Sequence, residues 1–306
     1  MKENSWFSTR VGVFITGVFC TLLWGSAFPV LKTSYIWMNL GSENIFGKIY
    51  FAGLRFFMAS ILLILFVKMI QKQSLSISGK HKKNIMILGI VQTTLQYFFF
   101  YIGIANTTGV KSAILASSGT FFVIILAHFY NHNDSLSWKK IAGLTLGFCG
   151  ILVMNLDGDF GGLDFNFMGE GFLLISGLVS AVGTIMAKRM SKDIKPFVLT
   201  AWQMLIGSSI LLIIGVSAKG YEGLVFSSGV TLLLIYASFL SAAAFGLWYS
   251  LLKYNKAGNV TMYKFLIPVF GSLLSLVFLT GESFNKMIIV ALLFVSAGVV
   301  IVNRGE

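Results

Sequence analysis

Charge is what this 306-residue chain has least of: 11% of its residues are Asp, Glu, Lys or Arg, against about 25% in a soluble globular protein. That shortfall argues against a cytosolic enzyme. With 56% of residues hydrophobic it also argues against disorder, which needs high charge and low hydrophobicity. Acids are scarcer than bases, 11 against 23, for a formal charge of +12. Cys20 and Cys149 both lie in apolar runs, frame neither a disulfide scaffold nor a zinc site, and read as small packing residues. His81, His128 and His132 share no metal-ligand spacing. No metal and no cofactor is therefore expected. No Walker loop, HExxH motif or nucleophile elbow is present, so neither an ATP-driven pump nor a hydrolase finds support, and the chain reads as no enzyme.

What is there is length of apolar run, with 29 Phe and a mean hydropathy of +0.84. A bilayer-spanning helix needs roughly 20 mostly apolar residues. About ten such segments follow one another, near 11–31, 48–69, 84–104, 109–130, 139–155, 169–187, 197–217, 230–252, 257–280 and 286–302. Runs such as Ile61–Val67 are apolar at every position, which favours helices over the alternation of a barrel strand. The first run is longer than the apolar region of a leader peptide, so it reads as a retained span.

Charge placement orients the spans. With the N-terminus inside, Lys2, Arg10, Lys68, Lys72, Lys80, Lys82, Lys83, Lys139, Lys140, Lys188, Arg189, Lys192, Lys195, Lys253, Lys256 and Arg304 fall on the cytoplasmic side. Only Lys48, Lys111, Lys219 and Lys286 fall outside, leaving Lys32, Arg55 and Lys264 within spans. The loop 156–168 carries Asp157, Asp159 and Asp164 without a basic residue and reads as external. This bias is the positive-inside signal: a multi-pass cell-membrane protein, with a prokaryotic cytoplasmic membrane favoured and both termini cytoplasmic. The positive charge is thus a topology signal, and no nucleic-acid partner is implied.

Shifting the chain by 148 residues superposes Tyr101 on Tyr249, Ser60 on Ser208, Gly150 on Gly298, Asn155 on Asn303 and Asp134-Ser135 on Glu282-Ser283. Gly25-Ser26 falls on Gly183-Thr184 at a different shift, because residues 37–47 lengthen the first loop. The ordered set divides the chain into 1–155, the external loop 156–168, and 169–306, with five spans on either side of the loop. Five is odd, so the second half enters the membrane from the opposite face. The expected fold class is an all-α integral membrane protein of two inverted five-helix repeats, an architecture that places a transporter's substrate near the midplane.

The motifs Trp24-Gly25-Ser26-Ala27-Phe28-Pro29 and Leu54-Arg55-Phe56 resemble the ten-span EamA-type transporters of the drug/metabolite transporter superfamily. So do Gly143, Gly147 and Gly150 between Asp134 and Asn155, and Pro268 with Gly281-Glu282-Ser283. The resemblance covers nearly the whole chain. It implies a central cavity lined by the first, third and fourth helices of each half, with the fifth helices bracing the pair. Thr120 stands opposite Pro268 where the family often has a second proline, which speaks against a symmetrical pair of kinks. Asp134 stands where the family often has Glu.

Ionisable residues inside spans cost roughly 2.5–3.5 kcal/mol at the helix centre and are functional candidates. Lys264 lies about seven residues, ~10 Å, into the ninth span and four before Pro268, placed to pair with a substrate carboxylate or phosphate. Arg55 lies as deep in the second span, opposite the neutral Gln203. It reads first as a structural residue bonding neighbouring carbonyls, with substrate contact as the alternative. Lys32 and Lys111 sit nearer the outer ends and read as snorkelling. No acid falls in mid-span; Asp134, Glu170 and Glu282 lie at span ends. An exporter of lipophilic cations, which needs a buried carboxylate, is disfavoured. His128 reads as interfacial.

Polar and aromatic candidates cluster on the cavity-lining spans: Trp24, Ser26, Gln92, Thr93, Gln96, Tyr97, Phe100, Tyr101, Ser117, Ser118, Thr120, Ser241, Trp248 and Tyr249. The candidate substrate set is Lys264, Trp24, Gln96, Tyr97, Tyr101, Ser117, Trp248 and Tyr249. Arg55, Pro29, Pro268, Gly143 and Gly147 are the structural or gating set, the two glycines forming a packing pair. The expected function is secondary-active transport of a small metabolite, an amino acid or related carboxylate, with export favoured, by a monomer or homodimer in the lipid bilayer. The alternatives are transport of a nucleotide sugar or lipid-linked sugar, or a non-transporting membrane sensor.

Overall fold

The computed structural model describes residues 5–41, 43–130, 134–155, 165–279 and 286–303. Ten long helices make up the fold, with no strand among the described residues. They are α1 (Arg10–Trp37), α2 (Ile45–Ile70), α3 (Gly79–Ala105), α4 (Lys111–Tyr130), α5 (Trp138–Met154), α6 (Phe167–Met190), α7 (Pro196–Ser217), α8 (Ser228–Tyr254), α9 (Ala257–Phe278) and α10 (Met287–Asn303). Eight of these are long and apolar enough to cross a membrane; α10 is a shorter apolar helix. The segment expected near 139–155 is α5, which has 17 residues and carries Lys139 and Lys140 in its first turn. The expected acidic loop residues Asp157, Asp159 and Asp164, the Gly281-Glu282-Ser283 motif, Lys2 and Arg304 lie outside the described residues.

Helix starts follow local capping chemistry. The hydroxyls of Thr9, Ser137 and Ser227 accept hydrogen bonds from Gly12 N, Lys140 N and Val230 N, satisfying first-turn donors of α1, α5 and α8. Outward faces are apolar: Phe129, Val277 and Phe278 are about three-quarters exposed, the surface expected of a helix in hydrocarbon rather than in water.

The helices pair across the two halves in a reciprocal pattern. α1 packs on α8 and α9, while α3 and α4 pack on α6; α2 packs on α7, and α5 on α10. Exchanging the first helix with the sixth, the third with the eighth and the fourth with the ninth leaves this list unchanged. Small residues set the closest crossings, as lipid-embedded helices require when packing supplies the association. On α1 and α9, Gly25 abuts Phe270 and Gly271 abuts Phe28. On α5 and α10, Gly143 abuts Val302 and the Gly298 carbonyl, and Gly298 in turn abuts the Gly143 carbonyl. Gly147 lies instead against the Phe265 ring of α9.

Candidate functional site

The site begins with a break in α9. The helix runs from Ala257 to Thr261, tightens into a 3-10 turn over Met262–Phe265, and resumes as Leu266–Phe278. Pro268 has no N–H with which to bond the Lys264 carbonyl four residues back, so regular helix cannot continue through that point. α4 is broken as well, between Gly109–Ala116 and Ser118–Tyr130. There the Ser117 hydroxyl donates to the Ile114 carbonyl at 2.6 Å, a local bond that competes with the helical ladder. Ser117 falls on Phe265 under the 148-residue shift. The helical ladder is thus irregular at one place in each fourth span, at Ser117 in α4 and over Met262–Phe265 in α9.

Lys264 projects from its turn onto two indoles. Its Nζ lies 5.5 Å from the Trp248 ring centroid and 5.9 Å from that of Trp24, within cation–π range. Trp24 meets Trp248 edge-on at 5.0 Å and Phe245 at 5.2 Å. Phe245 reaches Phe56 at 6.4 Å and Tyr249 at 6.3 Å. Phe56 in turn contacts Tyr97 at 4.5 Å, and Tyr97 contacts Phe100 and Tyr101. Rings from α1, α2, α3 and α8 thus form one continuous aromatic cluster, on which Lys264 of α9 rests. The Trp248 Nε1–H and the Tyr249 hydroxyl are buried in it without a hydrogen-bond partner.

Arg55 stands on the far side of this cluster. Its guanidinium lies 4.3 Å over the Phe56 ring and 5.9 Å from that of Tyr97, it is 3% exposed, and its Nε has no hydrogen-bond partner. The guanidinium carbon thus lies within cation–π range of two rings. Among the described residues no carboxylate lies within ion-pair distance of Lys264 or Arg55.

Other candidates have structural partners. Gln96 accepts from Gln92 Nε2 at 2.5 Å, while its backbone carbonyl accepts from Ser176. Thr93 donates to Gln203, the repeat counterpart of Arg55, and joins α3 to α7. Ser26 bonds Leu23 and Tyr236, and Ser241 bonds the Ala237 carbonyl. His128 accepts from the Leu136 N–H at 3.1 Å. Pro29 is buried within α1, and Lys32 is exposed on it. Phe56 and Phe245 escaped sequence reasoning. Phe245 precedes Trp248 by three positions and Tyr249 by four, a spacing that places the three side by side on a helix.

Three cations counted as simple orientation signals are also built into the fold. Lys140 is 3% exposed and donates to Asp134 Oδ1 at 2.6 Å, to the Asp134 carbonyl and to the Ser135 carbonyl. Asp134 Oδ2 accepts from the Gly258 N–H at 3.1 Å, so a first-half carboxylate caps α9 of the second half. Lys111, expected to snorkel, pairs instead with Glu170 at 3.1 Å, beside the Thr107 hydroxyl donating at 2.6 Å. The Lys188 ammonium donates to the Leu252 and Asn255 carbonyls and closes the C-terminus of α8. Two clefts of ≈ 320 and ≈ 380 Å³ lie elsewhere: Lys195 and Lys253 border one, Lys82 and Trp202 the other.

The EamA-like transporter family matches residues 10–156 and again 167–304. The uncharacterized transporter YetK of Bacillus subtilis is 28% identical over 256 residues, covering 77% of this chain and 75% of its own length. YvbV of the same organism, also an uncharacterized transporter, is 26% identical over 304 residues, covering 96% and 92%. A protein of Chlamydia muridarum named S-adenosylmethionine/S-adenosylhomocysteine transporter is 20% identical over 303 residues, covering 93% and 89%. One solved crystal structure superposes with a TM-score of 0.78 at 16% identity over 96% of both chains, a likeness of fold.

Proposed function

The chain belongs to the EamA-like transporter family, and from that premise we propose that it is a secondary-active carrier of small organic anions, amino acids and related carboxylates foremost. The observation that carries this reading is Lys264, a membrane-interior cation held over Trp24 and Trp248 with no described carboxylate in reach. A carboxylate arriving there neutralises a charge that the protein leaves open. The surrounding rings suit the apolar body of a metabolite, and the buried Trp248 N–H and Tyr249 hydroxyl offer donors.

The mechanism is alternating access between the repeats 1–155 and 169–306, joined by the loop 156–168 and related by inverted topology. The rings around Lys264 and Arg55 are in mutual contact, so a substrate enters only when α1, α2 and α8 part. The broken turns of α4 and α9 are the places where backbone adjusts at least cost. Both termini are cytoplasmic, and export is favoured, with direction set by the gradients. A monomer suffices for a fused pair of repeats, and a homodimer is compatible with it.

A nucleotide-sugar or lipid-linked sugar substrate is the second reading, and Arg55 favours it, because a diphosphate suits two cations in one aromatic cluster. Flux into proteoliposomes separates the two. The panel comprises amino acids, organic acids, S-adenosylmethionine and UDP-glucose. Uptake of at least one amino or organic acid supports the first reading; uptake of UDP-glucose alone supports the second. A protein that moves none of them contradicts both.

A further inference from the structure

Arg55 has no function in a site built for a single carboxylate. It nevertheless shares the aromatic cluster with Lys264: Trp24, Phe245 and Phe56 lead by successive ring contacts from one cation to the other. Depth agrees with this adjacency. Counting helix rise, Arg55 is ~15 Å from the start of α2 and Lys264 ~10 Å from the start of α9. The two helices enter from opposite faces, so in a core of ~30 Å the cations differ in depth by only ~5 Å. One belongs to the first half and the other to the second.

We propose that Arg55 is a second anion anchor of the same site, and that the substrate carries two negative charges, one held at Lys264 and one at Arg55. This rests on the reading of Lys264 as a substrate-binding cation. A monoanion neutralises one interior cation and leaves the other uncompensated in a low-dielectric surround, whereas a dianion neutralises both. The surroundings of Arg55 suit an anchor, since it is almost wholly buried, its Nε is unpartnered, and its guanidinium carbon lies 4.3 Å from the Phe56 ring centroid. Because each half supplies one anchor, a bridging dianion engages both repeats at once, and binding then bears directly on how they sit against each other.

A small dicarboxylate and the diphosphate of a nucleotide sugar share this double charge. The test uses 2-oxopentanoate and 2-oxoglutarate, which differ by a second carboxylate on the same chain, with UDP-glucose as a third probe. Initial uptake by proteoliposomes is measured for the wild type, Arg55→Gln, Arg55→Lys and Lys264→Gln, each checked for monodispersity in detergent. The wild type is expected to prefer 2-oxoglutarate over 2-oxopentanoate by roughly tenfold or more in KM, the worth of one charge-assisted bond. Arg55→Gln erases that preference, Arg55→Lys restores part of it, and Lys264→Gln weakens both acids. Uptake of UDP-glucose alone, lost in Arg55→Gln, keeps the double anchor and overturns the carboxylate reading. Equal handling of the two acids by the wild type overturns the double anchor whether or not the variants fold. A wild type that moves none of the three but takes up an amino acid overturns the Arg55 assignment alone, and one that moves nothing in either panel overturns the Lys264 reading with it.

Discussion

Replacing Lys140 by Met removes a buried cation while keeping the length of its side chain. In the native chain Lys140 Nζ bonds Asp134 Oδ1 at 2.6 Å, the Asp134 carbonyl at 3.0 Å and the Ser135 carbonyl at 2.8 Å. The variant leaves the Asp134 carboxylate, on a residue 1% exposed, with the Gly258 N–H as its remaining described donor. Breaking a buried pair in this way costs about 3–5 kcal/mol, the surviving carboxylate keeping only the Gly258 N–H and its longer-range attraction to Lys188. At about 2 °C per kcal/mol for a chain of this size, melting falls by roughly 6–10 °C. The assay heats detergent-solubilised protein and follows the monodisperse fraction by size exclusion. Asp134→Asn is expected to lose stability too, and the double variant Asp134→Asn/Lys140→Met to recover more than half of the loss, since the two burials are coupled. Single variants that melt within about 2 °C of the wild type refute the reasoning: the pair would then be solvated and α9 held by other means.

Three further outcomes follow from the geometry. Trp248→Leu removes one of the two indoles under Lys264 and is expected to raise KM by roughly 2- to 30-fold, a cation–π contact being worth about 0.5–2 kcal/mol, and to lower the melting temperature because a buried ring is lost; uptake kinetics on monodisperse protein check it. Gly298→Leu forces a side chain onto the Gly143 carbonyl and Leu146, and is expected to cost about 1–3 kcal/mol, read as a lower melting temperature, whereas Gly79→Ala meets nothing and melts as the wild type. Glu170→Gln removes the carboxylate that Lys111 pairs with, and is expected to cost about 1–3 kcal/mol. Its melting point should recover partly when Lys111→Met is added.

The helices were legible because the requirement of hydrocarbon is crude: a run of apolar residues long enough to span leaves a pattern that loop charges then orient. The repeat was legible in scattered pairs such as Gly150 with Gly298, and the reciprocal packing of α5 on α10 gives that pair a physical reason. Lys264 stood out because a lysine so deep in a span is costly. Its partners on the same or adjoining faces, Trp24 and Trp248, were found by their positions on the lining helices. Phe56 and Phe245 were not found, because phenylalanine is everywhere in this chain and its role depends on which neighbour it faces. Arg55 gave less away, because Tyr97, which it meets on α3, is far off in sequence. The break at Ser117 left no signal either, since a serine commonly sits in an unbroken transmembrane helix. Lys140 and Asp134, six residues apart across a loop and a helix start, gave no sign that they would be buried together under Gly258.

The most direct test of an anion anchored over two indoles is the uptake kinetics of Lys264→Gln in proteoliposomes, against the wild type and Lys264→Arg, for whichever panel substrate moves. Loss of the ammonium is expected to raise KM by roughly 10- to 150-fold, the worth of a charge-assisted hydrogen bond of about 1.5–3 kcal/mol, with Lys264→Arg between the two. Unchanged uptake of every accepted substrate by Lys264→Gln contradicts the placement of the substrate at Lys264.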